Sequence, residues 1–183
     1  MGYRYNFHDN TSLYFVTLTL RGWVDLFSRK CYRDEFIKSL NYCCENKGLV
    51  VYAYVIMTNH VHLIISTEPS FLLRDTFRDL KKYTAKVFLE LVQDPKESRR
   101  SWIMWLWKYF GCQKGRAHQI WKEGSHPIEL YSQEVIKQKL DYIHNNPVKA
   151  GFVSESWMWV YSSSLDYKGE KGLLDIELLG GVF

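Results

Sequence analysis

Two short strings carry residue types suited to phosphoryl chemistry. The first is His60-Val61-His62. Side chains alternate along a strand, so residues 60 and 62 share one face and Val61 takes the other, with the two imidazoles about 7 Å apart along the backbone. Such a pair can bite a single metal ion; failing that, it is two exposed or hydrogen-bonded histidines. The second string is Asp141-Tyr142-Ile143-His144-Asn145-Asn146-Pro147. Helix positions i and i+4 share a face, so Tyr142 and Asn146 look the same way. A phenol oxygen and a carboxamide oxygen one turn apart can approach the same ion or phosphate, although Asn before Pro is also an ordinary helix terminator. Two imidazoles and one amide oxygen leave positions open for a phosphate oxygen and water. That mixed donor set suits Mg²⁺ or Mn²⁺ better than a closed zinc site. An ion there polarises a scissile phosphate, and a tyrosine hydroxyl (pKa about 10) attacks phosphorus in line, losing its proton.

The elements that must position these groups follow from periodicity. Residues 12–20 read as a strand and 32–46 as a helix closed by Lys47-Gly48. Residues 49–57 and 60–66 are two strands joined by a Thr58-Asn59 turn. Glu68-Pro69-Ser70 ends the sheet run and can cap the amphipathic helix predicted over 71–92. Residues 102–110 are apolar but short enough to be helix or strand, and 117–122 read as a last strand. Ser132 caps a helix over 133–145, which Pro147 ends, and a Trp- and Ser-rich tail from about 151 wraps the surface. Strand, helix, strand, strand, helix, strand plus one more helix is an α+β, ferredoxin-like βαββαβ antiparallel sheet with an added C-terminal helix, as a single domain over 1–183.

These strings resemble a known family. MTNHVHLII is similar to the HUH motif (His, hydrophobic, His) of small tyrosine transposases. YIHNNPVKAGFV resembles the nucleophile helix of their relatives, the REP-associated tyrosine transposases, and WVYSS follows it. The likeness runs from the first strand to about Tyr161. It implies that His60 and His62 are metal ligands, that Asn146 is the third, and that Tyr142 is the nucleophile. It further implies Mg²⁺- or Mn²⁺-dependent nicking and rejoining of single-stranded DNA at repeat hairpins through a 5′-phosphotyrosine, with a homodimer as one arrangement seen among relatives. Thr58 stands where the family often has Pro, which alters the turn and leaves the ligands. Residues 121–126 hold no tyrosine where relatives often do. Tyr131, with Val135 at i+4, is the weaker nucleophile candidate.

Composition agrees with a globular, DNA-handling chain. Of 183 residues, 46% are hydrophobic, 16% aromatic and 24% charged, which excludes a disordered tail or a collagen-like repeat, and no apolar run approaches the ~20 residues of a membrane span. The N-terminus lacks a signal-peptide pattern, so a cytoplasmic, DNA-associated location is expected. Four cysteines without a CxxC pair read as reduced thiols. The net charge is +4, but residues 74–122 hold 12 of the 24 Lys and Arg and only 5 of the 20 Asp and Glu. Arg74, Arg78, Lys81, Lys82 and Lys86 on the long helix, with Arg99, Arg100, Lys114 and Arg116, are candidate phosphate contacts, or equally a solvated face. Trp102, Trp105 and Trp107 either stack unpaired bases or form core or a partner surface. Tyr3-Arg4-Tyr5 can follow a single strand. Two other classes compete with the transposase: a catalytically silent hairpin-binding protein of the same fold, and a metal-dependent RNA phosphoesterase.

Overall fold

The run YFVTLT, buried except at the half-buried Thr17 and Thr19, forms β1 (Tyr14–Thr19) in the interior of the sheet. In the computed structural model, which describes residue 7 and residues 12–124 and 127–180, α1 (Lys30–Lys47) follows. It ends at Gly48, which adopts the left-handed conformation (φ 58°) that glycine accepts most readily. β2 (Leu49–Ile56) and β3 (His60–Thr67) form an antiparallel hairpin. α2 (Leu73–Val92), α3 (Arg100–Cys112), β4 (Ile128–Glu129) and α4 (Gln133–Lys149) complete the order. The strands lie β2-β3-β1-β4 with every neighbour antiparallel, the arrangement of the predicted ferredoxin-like fold.

The two faces of this sheet bury different helices. Val61, Leu63 and Ile65 of β3 point into a large core with Phe36 and Leu40 of α1, Phe77, Leu80 and Phe88 of α2, and Trp107 of α3. Ile64 points the other way, into a smaller core with Phe15, Val55 and the α4 residues Ile136, Leu140 and Ile143. α4 is therefore the long helix that covers the face to which His60 and His62 belong, because side chains of like parity share a side.

Several expectations need correction. Residues 117–122 make one isolated bridge, Leu20 with Trp121, rather than a strand; the fourth strand is the two-residue Ile128–Glu129, placed against Tyr14 and Phe15. Trp121 is drawn inward instead, packing on Phe27, Phe36 and Phe88 and donating its indole N–H to Thr84 Oγ1 at 3.0 Å. The ambiguous 102–110 segment is helix, since only a helix lets Ile103, Trp107 and Gly111 share a buried stripe while its neighbours face out. Ser70 caps nothing; α2 starts after Leu72 without a side-chain cap, whereas Ser132 does cap α4, accepting from the Val135 N–H at 3.3 Å. Pro147 does not end α4, which runs on to Lys149. In the last turn the missing N–H costs one bond, and the Ala150 N–H still reaches the Asn146 carbonyl at 3.0 Å. The tail does more than wrap the surface: Ser162 bridges to Val55 at the free edge of β2, and Ser162 and Ser163 are fully buried. All four cysteines are free, with Cys31 and Cys112 exposed.

Candidate active site

β3 presents the two histidines side by side, ring centroids 4.7 Å apart. Each ring is held by its Nδ1. Asn59 Oδ1 lies 2.7 Å from His60 Nδ1, and a carboxamide oxygen only accepts, so His60 carries its proton on Nδ1 and keeps a lone pair on Nε2. Thr17 Oγ1 lies 2.8 Å from His62 Nδ1. Register puts it there, since Thr17 pairs with His62 across β1 and β3. His62 is 5% exposed, and its Nε2 is buried without a hydrogen-bond partner among the described residues. Burial, the neighbouring His60 and the Lys139 ammonium together push the His62 pKa down to about 3; burial also lowers that of His60. Both imidazoles are neutral at pH 7, the form that donates a lone pair to a metal.

α4 brings the phenol to this pair. Its buried stripe of Ile136, Leu140, Ile143, His144 and Pro147 fixes the helix on the sheet, and Lys139, Tyr142 and Asn146 form the adjoining stripe at spacings of three and four. The Tyr142 ring stands edge-on to His62 at 5.1 Å and to Phe15 at 6.0 Å, yet the residue is 41% exposed. Phe15 stacks flat on His62 at 5.3 Å, forming the floor on which the phenol and imidazole meet. Two elements eighty residues apart thus bring a phenol and an imidazole pair together. Asn146 is half-buried one turn beyond Tyr142. Among the described residues no three His, Cys, Asp or Glu cluster around a common centre.

Three contributors escaped the sequence reading. Thr17 and Asn59 hold the imidazoles; the only sequence signal was a pair of threonines on one face of β1 and a polar turn. Lys139 sits 4.9 Å above Phe15 and 5.9 Å from the centre of the Tyr142 ring. Its signal was its place three residues before Tyr142. His144, two residues from the phenol, lies on the buried side and hydrogen-bonds through Nε2 to Ser163 Oγ at 2.9 Å.

The predicted phosphate contacts are scattered by the fold. α2 packs on the sheet face opposite the histidines, so Arg74, Arg78, Lys81, Lys82 and Lys86 lie across the sheet from Tyr142. Arg78 is engaged by Asp75 at 2.7 Å and Asp79 at 3.1 Å, Arg74 approaches Asp75, and Lys86 approaches Glu90. Lys81 is half-buried near Phe77, and burial lowers its pKa; Lys82 is exposed. Arg99 clamps Asp25 at 2.7 Å and the buried Glu97 at 3.1 Å, anchoring the start of α3. Arg100 reaches the Gln93 carbonyl, and Lys114 and Arg116 share Glu123. Tyr131 is 84% exposed. Tyr3-Arg4-Tyr5 falls outside the described residues.

Comparison with known proteins decides the family. The model of the family described as IS200-like transposases matches residues 14–123, which include both histidines. The chain belongs to the IS200-like transposases. The match ends before α4, so this transposase's tyrosine helix rests on its own geometry. A curated protein of Haemophilus influenzae, described as a REP-associated tyrosine transposase, is 28% identical over 151 residues, covering 82% of this chain and 78% of the relative. A solved REP-associated tyrosine transposase bound to a REP hairpin superposes with a TM-score of 0.62 at 19% identity, over 100% of this chain and 94% of that one. The transposase therefore shares the fold of that protein and is a DNA-processing enzyme.

Burial of neutral histidines also makes the transposase acid-sensitive. The pKa of folded His144 is lowered to about 4 and that of His62 to about 3, both by burial first. Unfolded, each titrates near 6.5, so below that pH the unfolded chain takes up protons that the folded chain refuses. Stability is complete above about pH 6.5 and declines as pH falls toward 4 and 3. Urea melts should show a lower midpoint near pH 5 than near pH 7, with a smaller drop in His144→Gln. Equal midpoints at the two pH values would contradict the buried, neutral state.

Proposed function

We propose that this transposase cuts and rejoins single-stranded DNA at hairpins through a covalent phosphotyrosine on Tyr142, with His60, His62 and Asn146 as ligands of Mg²⁺ or Mn²⁺. The observation that carries the reading is the meeting of the Tyr142 ring with His62, whose Nε2 is buried and unpartnered. An imidazole nitrogen without a partner costs free energy unless something occupies it. A divalent ion bound there would polarise the scissile phosphate and offset its developing charge. The hairpin substrate is supported by the REP hairpin in the solved relative.

In the cutting step the Tyr142 oxygen forms a bond to phosphorus, the bond from phosphorus to the 3′ oxygen breaks, and the phenolic proton leaves as the 3′ oxygen gains one. The 5′ phosphate stays on the protein and a free 3′-OH is released. Rejoining is the reverse with another 3′-OH, so phosphodiester energy is conserved and no nucleotide cofactor is needed. Lys139, near the phenol, supplies a positive charge that would favour a bound phosphate. Asn59 keeps the His60 Nε2 lone pair free for the ion, and Thr17, accepting from His62 Nδ1, would do the same for His62. Replacing Thr17 with Val should weaken Mn²⁺ binding roughly 10–100-fold by calorimetric titration while leaving the fold intact. Unchanged affinity would show that the hydroxyl does not set the ring.

The direct test is to incubate the protein with a hairpin oligonucleotide bearing a single-stranded flank and Mn²⁺, then measure mass under denaturing conditions. The expected product is protein plus the 3′ fragment of the DNA, linked at Tyr142. Cleavage without an adduct would mean hydrolysis, and binding without cleavage a silent hairpin binder; either overturns the reading.

A further inference from the structure

Exposed aromatic rings run from α3 to the end of the sheet that carries His60. Trp107 turns inward and is fully buried, but Trp105 on the same helix is 61% exposed and stacks on Tyr109, centroids 5.6 Å apart and planes 16° from parallel. Tyr109 meets Phe110 edge-on at 5.4 Å, and the Arg21 guanidinium lies 4.2 Å above Phe110. Two residues on, Trp23 is 63% exposed with the Lys122 ammonium 5.7 Å from its ring. The Lys122 end of the track abuts the strand next to His60: the Lys122 N–H donates to the Thr19 carbonyl at 2.8 Å, and Thr19 pairs with His60.

Two further observations point to a ligand. Trp23 holds φ at 57°, a left-handed backbone that bulky residues avoid and that glycine would take without strain. The strained position presents an indole to solvent and buries none of it in the core, which is how strain is spent at binding sites rather than in folding. Gly22 beside it is left-handed too (φ 75°), and a Cβ there would come 2.5 Å from the Leu106 side chain, so the turn that carries Trp23 lies against α3. The surface is also cationic. Residues 100–112 contain no acidic residue, and among the described residues no carboxylate pairs with Arg21, Lys108 or Lys122.

We propose that this track binds the unpaired bases of single-stranded DNA beside the scissile phosphate, with Trp23 and Trp105 stacking on bases and Arg21 and Lys122 facing the phosphates. Rings interleaved with free cations fit an unpaired strand better than a duplex, whose bases are already stacked, and a chain of rings several ångströms apart accommodates successive bases. The proposal rests on the single-stranded DNA reading above but not on the covalent chemistry.

The test is equilibrium binding, in Mg²⁺ and at one fixed salt concentration, of two fluorescent probes: a hairpin with a single-stranded flank and the same hairpin blunt-ended. Trp105→Ala and Trp23→Gly should each weaken flanked-hairpin binding about tenfold and leave the blunt hairpin unchanged. Trp105→Phe should restore most of the affinity. Trp23→Gly should melt no lower than wild type, because it relieves the backbone, so its loss of binding cannot be ascribed to unfolding. Unchanged binding of the flanked probe, or equal losses on both probes, would overturn the proposal. So would a loss that accompanies dissociation of a dimer in sedimentation, which would mark the surface as a contact between copies. The variants retain Tyr142, His60 and His62; a wild-type protein that binds the flank through these rings but forms no adduct would sink the phosphotyrosine reading alone.

Discussion

Tyr142→Phe should reduce the covalent protein–DNA product to background while hairpin affinity stays within about twofold of wild type. The substitution removes one oxygen and keeps the ring that packs edge-on to His62 and Phe15. With the residue 41% exposed, stability should change by less than about 0.5 kcal/mol. What disappears is the atom that bonds to phosphorus, and no neighbouring side chain can substitute: His144 faces Ser163, and Tyr131 stands out in solvent. Losing a nucleophile outright costs many orders of magnitude when nothing replaces it. A denaturing gel of labelled hairpin reads the result directly. An adduct in the Phe variant would remove Tyr142 from its role and reopen the assignment of Tyr131.

His62→Ala should abolish both metal binding and cleavage, and the binding loss should be visible without any substrate. Wild-type protein should take up one Mn²⁺ per chain in a calorimetric titration, and the variant none. The His62 Nε2 is buried and has no hydrogen-bond partner among the described residues, so its removal deletes the donor rather than rearranging it. Phe15 loses its stacked neighbour, and a moderate destabilisation of about 1–3 kcal/mol is expected alongside. His60→Ala should match it in metal binding with a smaller effect on stability, since His60 is only half-buried. Cleavage that survives in either variant, or in wild type with chelator present, would exclude this pair as the ion site.

How far the sequence reaches can be seen in these same residues. The parity of His60 and His62 on β3, the i to i+4 relation of Tyr142 and Asn146, the Gly48 stop and the Ser132 cap are local, and each is as the chain's own periodicity requires. The errors fall where local preference met a tertiary contact. AHQIWK has strand composition, yet Trp121 turns into the core against Phe36 and the segment makes one isolated bridge instead of a ladder. Trp102, Trp105 and Trp107 look alike in sequence; only α3's docking buries the third and leaves the first two outside.

From its own order of residues, then, the chain determined most of its strands and helices and the shared faces within each of its two motifs, because those depend on spacings of two, three and four residues, while the family showed in the resemblance of the motif strings. The folded structure alone decided that β1's register sets Thr17 on His62, that Lys139 stands beside the phenol, and that α2's lysines and arginines lie on the far side of the sheet. Those are relations between residues tens of positions apart, and no periodicity encodes them: they arise only when the sheet chooses which helix to bury on each of its faces.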